Sequence, residues 1–317
     1  MDKAPWKVAA FVAVIVPLMG CIATIVAALI GVLPEIIRST PGAQIPTLTA
    51  TVSPTPTAAE PTRVLPTPLP GNRSSRVSDV DGMTLLYVPA GEFTMGSNEF
   101  ADEQPPHQVY LDAFYIDQTE VTNALYAQCV KANACQAPLS TGSRSRSSYY
   151  GNPQFDHYPV ANAAWNDARA YCQWVGGDLP TEAQWEKAAR GPSTGSGSTG
   201  SGADRLYPWG NQAPDVSRLN FNWNVGDTTE VGKYPAGASF YGALDMAGNV
   251  WEWVRDWYDA TYYAGLSSRN PAGPTSGDYR VFRGGAWSNV ASYVRASFRN
   301  WNDPGNRLDG IGFRCAR

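Results

Sequence analysis

The sequence predicts a loop-rich α+β domain with few short helices and small sheets, preceded by one transmembrane helix and a disordered stalk. Helix-capping signals mark only three short helices within residues 80–317. Around them, short apolar runs such as 85–88 and 279–282 lie between Gly, Pro, Asn and Asp, which is typical of short strands joined by turns. The 30 glycines and 25 prolines among the 317 residues agree with a fold in which loops dominate.

The first element is an apolar segment at residues 8–33, which follows a short N-terminus at residues 1–7. As a helix it would measure roughly 39 Å, which exceeds the ~30 Å hydrocarbon core of a bilayer. A cleaved signal peptide has an apolar stretch of only about 7–15 residues. Lys3 and Lys7 precede the segment, so the positive-inside rule places the N-terminus in the cytoplasm. We expect a single-pass signal-anchor with the domain extracytoplasmic, at the cell surface or in the periplasm.

A lipoprotein anchor is the alternative to a transmembrane anchor. The run Leu18-Met19-Gly20-Cys21 resembles a bacterial lipobox, in which Cys21 would become a lipidated N-terminus. Met19 fits that motif poorly, and apolar residues continue after Cys21, where lipoproteins usually become polar. The uncleaved anchor is therefore the favoured interpretation.

Residues 34–79 form the predicted stalk. Eight prolines lie between positions 41 and 70, separated mainly by Thr, Ala and Ser. Such a stretch buries too little apolar surface to offset the entropy of ordering it, and proline favours extended conformations. We expect a disordered spacer that holds the remainder of the chain away from the membrane.

The domain itself is predicted at residues 80–317, with three helices and a disordered loop. The third helix has the most specific signal, because Thr181 and Gln184 form a capping box. The Ser- and Gly-rich run at 192–202 predicts the surface loop. The three helices begin at the N-caps Thr122, Asn166 and Thr181 and end at Lys131, Gly176–Gly177 and Gly191.

Composition excludes two classes of function. The net charge of −4 argues against a nucleic-acid partner, which requires a basic surface. Two histidines in the whole chain exclude a multi-histidine metal centre. The low charged fraction of 16% comes partly from the uncharged anchor and stalk, so it says little about the domain.

Four of the five cysteines lie in the domain, where an extracytoplasmic location permits disulfides. Cys129 and Cys135 are six residues apart and are predicted to close a small loop. Pairing of Cys172 with Cys315 would then close a loop of over 140 residues, a crosslink that stabilises by ~4–5 kcal/mol in the chain-entropy model. The alternative is a set of buried free thiols. Neither interpretation leaves an obvious cysteine nucleophile.

Ordered motifs run through the predicted domain from end to end. They include LPTEAQWE at 179–186, DMAGNVWEW at 245–253, RGGAW at 283–287 and GFRC at 312–315. Together they resemble the formylglycine-generating enzyme family, also called sulfatase-modifying factors. The resemblance implies a C-type-lectin-like α+β fold, and it implies that Cys172–Cys315 is the disulfide of the family.

The catalytic metals of that family are not expected here. Formylglycine-generating members hold copper with two cysteines just after the Gly-Gly motif, whereas residues 284–295 contain no cysteine and Asn289 stands about where the first would fall. Soft Cu(I) selects thiolates, which amide and hydroxyl groups do not replace. A related branch uses a three-histidine iron site, and this chain has only His107 and His157. We therefore expect neither copper nor iron, and the absence of the copper cysteines argues against oxidase activity.

Calcium is the cofactor that the resemblance does predict. One family site corresponds to an oxygen-rich turn whose side chains and carbonyls suit Ca²⁺. The alternative for this turn is a tight bend that ends in a buried glutamate paired with an arginine. A second, shorter set corresponds to another calcium site of the family, but the loop here differs in length from the family's loop. The first set is Asp245, Gly248, Val250 and Glu252, and the second is Asn220, Phe221 and Asp227.

The segment at about 286–311 is the predicted ligand-binding face. Small polar and aromatic residues on a rigid scaffold are typical of adaptable binding surfaces. This segment also resembles the variable region of proteins diversified by retroelements, although ordinary non-enzymatic relatives have similar Asn-rich endings. The candidate ligand-binding residues are Trp287, Ser288, Asn289, Ser292, Tyr293, Phe298, Trp301, Asn302, Asp303, Leu308 and Asp309.

These observations predict a membrane-anchored, extracytoplasmic module that binds a protein, peptide or glycan ligand, contacts the membrane through residues 8–33 and binds no nucleic acid. Two alternatives remain. The first is that the chain is a formylglycine-generating oxidase that acts on a sulfatase-type cysteine. The second is that it is a structural component of the cell envelope.

Overall fold

The computed structural model describes residues 74–192, 205–265 and 269–317, which belong to one compact unit. The predicted transmembrane helix at 8–33, nearly all of the predicted stalk and the Ser- and Gly-rich loop after Pro192 lie outside the described residues. Of the helices in those three ranges, none has the length and apolar character needed to span a bilayer.

The described elements are three short helices and nine short strands, joined by loops and single 3₁₀ turns, which confirms the predicted α+β class. The helices are α1 Asn123–Lys131, α2 Trp165–Trp174 and α3 Glu182–Arg190. The strands are β1 Ser75–Val77, β2 Thr84–Val88, β3 Gly91–Met95, β4 His107–Leu111, β5 Phe114–Asp117, β6 Trp251–Trp257, β7 Arg280–Arg283, β8 Arg299–Asn302 and β9 Ile311–Phe313.

The strands form three small sheets. Sheet one has the order β1-β2-β5, and β3 pairs with β4 in a second, two-stranded sheet. The third sheet has the order β8-β7-β6-β9, in which β9 runs parallel to β6 while the other neighbours are antiparallel. In this third sheet β7 ends just before the predicted ligand-binding segment, β8 lies within it and β9 begins at its last residue, so the sheet fixes where that face lies.

Two of the three predicted helices begin and end where their capping residues indicate. Thr122 accepts a hydrogen bond from the Leu125 backbone N at α1. At α3, Thr181 and Gln184 form the reciprocal capping box. The prediction for α2 was wrong at its start, because the helix begins at Trp165 and not after Asn166.

The early start of α2 has a local cause. Its first turn is closed by Asp167, whose carboxylate accepts a hydrogen bond from the Ala164 backbone N at 3.0 Å. This contact satisfies the Ala164 N–H from inside the helix, which is the half of a capping box that the third helical residue supplies.

The fold also begins earlier than predicted. Strand β1 lies within residues 34–79, which the sequence assigned to the stalk, and pairs antiparallel with β2 from Ser75 opposite Leu86 to Val77 opposite Thr84. All three residues of β1 are exposed, so the strand carries no apolar alternation that sequence reasoning could detect.

Both disulfides are formed as predicted. Cys129 and Cys135 close the small loop after α1 with Cα atoms 5.3 Å apart, and Cys172 on α2 pairs with Cys315 just after β9 at 5.4 Å. The second bond lies in a buried cluster that includes Trp253 and Phe313. The crosslink therefore joins the helical part of the domain to the sheet that supports the C-terminal segment.

Candidate functional site

Buried ion pairs fix the sheet that supports the C-terminal face. Arg283 on β7 donates to Glu182 at 2.7 Å and to Glu186 at 2.6 Å, both on α3. Arg299 on β8 also donates to Glu182, at 2.8 Å. Burial alone would raise the pKa of Glu182, but the two guanidinium groups outweigh it and hold that pKa below its usual value. The residues between β7 and β9 are therefore displayed from a rigid base.

One cleft opens where the RGGAW motif meets the loop before β9. It has a volume of about 350 Å³ and we call it the Trp287 cleft. Trp287 is only 3% exposed, and its ring packs edge-on against Trp223 with centroids 4.7 Å apart. The cleft is lined by Arg144, Trp223, Trp251, Phe282, Ala286, Trp287, Ser288, Asn289, Leu308, Asp309, Gly310 and Ile311.

Three polar groups of the Trp287 cleft have no hydrogen-bonding or ionic partner among the described residues. The buried Nε1–H of Trp287 has no acceptor. Arg144 lies 5.9 Å over the Trp223 ring and forms no ion pair, and Asp309 accepts no hydrogen bond. A Cβ built on Gly310 would lie 3.7 Å from Trp287 Nε1, which places the N–H beside another residue of the cleft wall. Two donors and one acceptor at this cleft thus lack a hydrogen-bonding partner among the described residues.

A shallower cleft of about 620 Å³ adjoins the first and shares Arg144, Leu308 and Asp309 with it. It is formed largely by the loop at 140–147. The other cations of this cleft are already paired, since Arg307 donates to Asp167 at 2.8 Å and Arg146 lies 3.3 Å from Asp227. Arg144 is therefore the cation of this region that remains available.

A third cleft, of about 680 Å³, lies at β8, and we call it the Trp301 cleft. Trp301 stacks on Tyr258 with ring centroids 4.1 Å apart and an angle of 14° between the planes. Tyr293 packs on Phe298 at 4.8 Å. The lining residues are Phe100, Ala101, Asp102, Tyr258, Ala260, Thr261, Ser292, Tyr293, Phe298, Arg299, Asn300 and Trp301.

The structure divides the predicted ligand-binding residues between two clefts. Asn302 and Asp303 line neither cleft. The Asn302 side-chain oxygen accepts from the Asp303 backbone N at 2.8 Å, and the Asp303 carboxylate accepts from the Gly305 backbone N at 2.7 Å, so both hold a turn. The Trp287 cleft contains Trp287, Ser288, Asn289, Leu308 and Asp309, and the Trp301 cleft contains Ser292, Tyr293, Phe298 and Trp301.

Sequence reasoning missed the residues that complete the clefts from outside the C-terminal segment. They come from four separate loops or turns, and only the fold brings them to this face. A solvent-exposed tryptophan marks a binding surface, and Trp223 is 54% exposed. The sequence shows the tryptophan but not its exposure, so this signal could not be used. The missed residues are Phe100, Asp102, Arg144, Trp223 and Tyr258.

The first predicted calcium set lies in a buried acidic cluster. Glu252 accepts from Arg314 at 2.6 and 2.7 Å and from Trp185 Nε1 at 2.7 Å, as the arginine-paired alternative described. Asp245 accepts from the Gly232 backbone N at 2.6 Å. Burial, followed by the charges of Asp245 and Glu252, raises the pKa of Glu120 well above its usual value. Three buried carboxylates thus lie around Arg314, and both oxygens of Glu252 are already taken by Arg314 and Trp185.

The second predicted set has different surroundings. Asn220 Oδ1 is buried without a hydrogen-bond donor among the described residues, but the Asp227 carboxylate is already surrounded. It accepts from Ser143, Ser145 and the Thr228 backbone and lies beside Arg146. The Phe221 carbonyl accepts from the Asn224 backbone N at 3.0 Å, and the Phe221 ring packs at the edge of a small apolar cluster. This second set remains a sequence-based prediction.

The described residues offer no fit for the copper of the family, and they contain no group of three or more His, Cys, Asp or Glu side chains arranged to hold a metal ion. All four cysteines of the domain form disulfides, so none supplies a thiolate. Of the two histidines, His107 contacts the Pro105 carbonyl at 2.7 Å and the Tyr263 ring. Both of these contacts are structural ones within the domain.

Comparison with protein families decides the affiliation. Residues 72–317 match the sulfatase-modifying factor enzyme 1-like domain. The chain belongs to this family. The match covers the whole described fold, including strand β1, which the sequence prediction placed outside the domain.

Relatives of this sulfatase-modifying factor domain have diverse names. Formylglycine-generating enzyme of Streptomyces coelicolor is 34% identical over 289 residues, which cover 73% of this chain and 88% of that enzyme. Serine/threonine-protein kinase pkn1 of Chlamydia caviae is 35% identical over 246 residues, which cover 74% of this chain but 38% of the kinase. The chain thus spans well under half the length of this kinase relative.

Among solved structures, Treponema denticola variable protein 1 superposes with a TM-score of 0.62 at 24% identity, covering 78% of this chain and 99% of that chain. This likeness shows the fold. Few helices, small sheets and long loops are therefore shared by a sulfatase-modifying factor domain and a variable protein.

Proposed function

We propose that this chain is a membrane-anchored, extracytoplasmic ligand-binding protein that uses a sulfatase-modifying factor fold and binds through the face at about 286–311, without oxidase activity. One observation carries the proposal. The N–H of Trp287, a residue of the cleft wall, is buried without an acceptor, and Arg144 and Asp309 of the same cleft have no hydrogen-bonding or ionic partner among the described residues.

The chemistry of the Trp287 cleft defines what it would bind. A buried N–H without an acceptor costs about 1–3 kcal/mol, which a ligand carbonyl, carboxylate or hydroxyl would recover. Arg144 offers further donors and Asp309 offers an acceptor, while Trp223 and Trp251 supply apolar area. A ligand with both donors and acceptors next to an apolar part matches this set, and peptide segments and glycans have that composition.

A variant that removes the unpaired N–H tests the proposal. Trp287→Phe keeps an aromatic ring in the wall and deletes the N–H, so it should weaken binding of a peptide or oligosaccharide selected from defined libraries by about tenfold. Trp209→Phe is the matched control, because the Trp209 N–H donates to the Gln212 carbonyl away from the clefts. Selected ligands that bind equally to wild type and Trp287→Phe would contradict the proposal.

Membrane anchoring through residues 8–33 is part of the proposal and rests on the apolar length and on the flanking lysines. The chain should remain in the membrane pellet after alkaline carbonate washing, and deletion of residues 1–33 should release it. Cys21→Ser separates the two kinds of anchor. If this variant leaves the pellet, the anchor is a lipid and not a helix.

We propose that calcium is held by the turn that contains Asp245, the Gly248 and Val250 carbonyls and Glu252. Support comes from the buried excess of carboxylates beside a single arginine. Calcium bound there would neutralise charge and stabilise the folded state. Chelation should lower the melting temperature of wild type, and Asp245→Asn should remove this dependence. A melting temperature unmoved by chelation would count against calcium.

Diversification of the face by a retroelement is supported by its Asn-, Ser- and Tyr-rich composition. Sequencing around the gene tests it. A reverse-transcriptase gene beside a near-copy of the segment encoding the face is the expected finding, and its absence would contradict diversification.

The enzymatic alternative has one supporting observation, the 34% identity to formylglycine-generating enzyme of Streptomyces coelicolor across most of that enzyme. Against this alternative, the described residues contain no free thiolate that could hold copper. Copper-supplemented conversion of a Cys-X-Pro-X-Arg peptide to an aldehyde would establish it and would overturn the binding-only proposal.

A further inference from the structure

The Trp301 cleft presents a flat and rigid aromatic surface to solvent. Trp301 is 41% exposed, and Tyr258 covers one face of its indole ring. The exposed area therefore belongs to the opposite face and the edges. Tyr293 and Phe100 are also exposed at the margin of the same cleft. Exposed aromatic rings that line one concave site are typical of a binding surface and uncommon elsewhere on a soluble domain.

Two polar groups beside this surface are partly free. The Asp102 carboxylate accepts from the Tyr258 hydroxyl at 3.0 Å through Oδ2, and its Oδ1 receives no hydrogen bond from any described residue. Asn300 accepts from the Trp301 backbone N at 2.9 Å through its side-chain oxygen, and its NH₂ group donates to none of the described residues. The cleft thus offers one strong acceptor and one amide donor next to the exposed indole.

The charges of the cleft exclude anionic ligands. The one cation in its wall is Arg299, which is buried and donates to Glu182 and to the Asp102 backbone carbonyl. With that cation committed, the remaining exposed charge is the negative one of Asp102. Phosphate groups, acidic peptides and anionic lipid surfaces would meet repulsion there. The ligand must bring O–H or N–H donors to the free carboxylate oxygen.

The structure assigns to the Trp301 cleft a binding site for a neutral saccharide. A sugar ring has an apolar C–H face that packs on an exposed indole, and its adjacent hydroxyls donate to a carboxylate and accept from an amide. The cleft volume of about 680 Å³ lies within the range of small-ligand sites, so it accommodates a short oligosaccharide. The assignment rests on the proposed function in that both place ligands on the C-terminal face, but it concerns a separate cleft.

A proline-rich peptide is the main competitor, because such peptides also dock on aromatic grooves. The carbonyls of that peptide require donors from the groove. The hydroxyl of Tyr258 is not available for this purpose, since it already donates to Asp102. Burial, together with the charge of Asp102, raises the pKa of Tyr258, so the hydroxyl keeps its proton. Proline residues bring no N–H to the free oxygen of Asp102, whereas sugar hydroxyls can donate to it and accept from the Asn300 amide, so the cleft favours the polyol over the peptide.

The experiment measures binding of defined neutral tetrasaccharides to the full chain. The chain is purified in an amine-oxide detergent, which carries no sugar headgroup, and is titrated with cellotetraose, maltotetraose, mannotetraose and chitotetraose by calorimetry. A proline-rich peptide is titrated in parallel. At least one tetrasaccharide should bind with micromolar to millimolar affinity, and the peptide should not.

Variants locate the binding to this cleft. Trp301→Ala should weaken the saccharide at least tenfold, and Asp102→Asn, which keeps an acceptor for Tyr258 but loses the charge, should weaken it about fivefold. Trp209→Phe, which lies outside the three clefts, is the control and should leave saccharide affinity unchanged. Trp287→Phe is titrated in parallel with ligands of the Trp287 cleft as a separate readout, so the two proposals fail independently.

Three outcomes would overturn the assignment. They are an absence of binding to all four tetrasaccharides, saccharide binding that neither Trp301→Ala nor Asp102→Asn reduces, and binding of the proline-rich peptide that Trp301→Ala abolishes. Trp301 is exposed, so its replacement leaves the core intact, and Asp102→Asn gives an independent readout if Trp301→Ala unfolds.

Discussion

Asp256 on β6 is a buried carboxyl whose protonation is linked to stability. It accepts a hydrogen bond from the Glu182 backbone N at 2.9 Å. Burial, followed by the charge of Glu182, raises its pKa from 3.8 to about 7. Between about pH 4 and 7 the folded chain therefore binds more protons at this site than the unfolded chain. The stabilisation from this raised pKa is fully present below pH 4 and is lost as the pH rises through 7.

Asp256→Asn should remove this dependence, because asparagine keeps an acceptor and does not titrate. We expect wild type and variant to melt at similar temperatures at pH 4, and the variant to melt several degrees higher at pH 8. Thermal unfolding at both pH values measures the difference. The exposed Asp259→Asn serves as control and should show no gain at pH 8. An equal difference at both pH values for Asp256→Asn would contradict the linkage.

At the scale of elements, α3 is joined to the third sheet by Arg283. Its guanidinium bridges Glu182 and Glu186 and also donates to the Ala296 carbonyl, all of them buried. Arg283→Met should cost about 3–5 kcal/mol of unfolding free energy, because it leaves carboxylates in the core with too little positive charge. Arg169→Met breaks a pair with Asp178 that is partly solvent-exposed, and it should cost less than about 1 kcal/mol.

Urea denaturation of both variants measures these costs. A loss for Arg283→Met no larger than that for Arg169→Met would show that the buried pairs contribute little. Arg283→Met should also weaken ligand binding at the C-terminal face, since β7 leads directly into the wall of the Trp287 cleft.

Elements were predictable from sequence where local chemistry specifies them. The caps at Thr122 and Thr181 act on their own first turns, so α1 and α3 could be placed to the residue. The start of α2 could not, because Ala164 shows no capping chemistry and Asp167 supplies it from inside the helix. Strand β1 could not be predicted from the sequence for another reason. Its side chains are exposed, and it is held by the backbone ladder to β2 and by the Arg76 guanidinium over the Tyr115 ring, contacts that leave no apolar pattern in the sequence.

For the molecule as a whole, the two disulfides should differ in their contribution. The chain-entropy model gives about 5 kcal/mol for the crosslink between Cys172 and Cys315, which are 143 residues apart, and about 2.5 kcal/mol for the six-residue pair Cys129–Cys135. Replacement of each pair by alanine should lower the melting temperature in that order. Equal losses, or a larger loss for the small loop, would contradict the entropic account.

The family and both disulfides followed from the sequence, but the division of the face into two clefts did not. Trp287 and Trp301 belong to one continuous segment, so the sequence suggests one surface. Partners from far along the chain separate them, with Arg144 and Trp223 on one side and Tyr258 on the other. Long-range packing of this kind leaves no periodic or spacing signal in a single sequence.

The pairing of Cys172 with Cys315 also determines the order in which the domain matures. Cys172 emerges during synthesis long before its partner, and β9, which runs beside β6, is the last strand to appear. Tyr115 and Asp117 on β5 also wait for this segment, since their backbones bond to Arg317 and Cys315. Cys172 belongs to the same buried cluster as Cys129 and Cys135. Thiol exchange with that pair is therefore the specific mispairing that the late arrival of Cys315 permits.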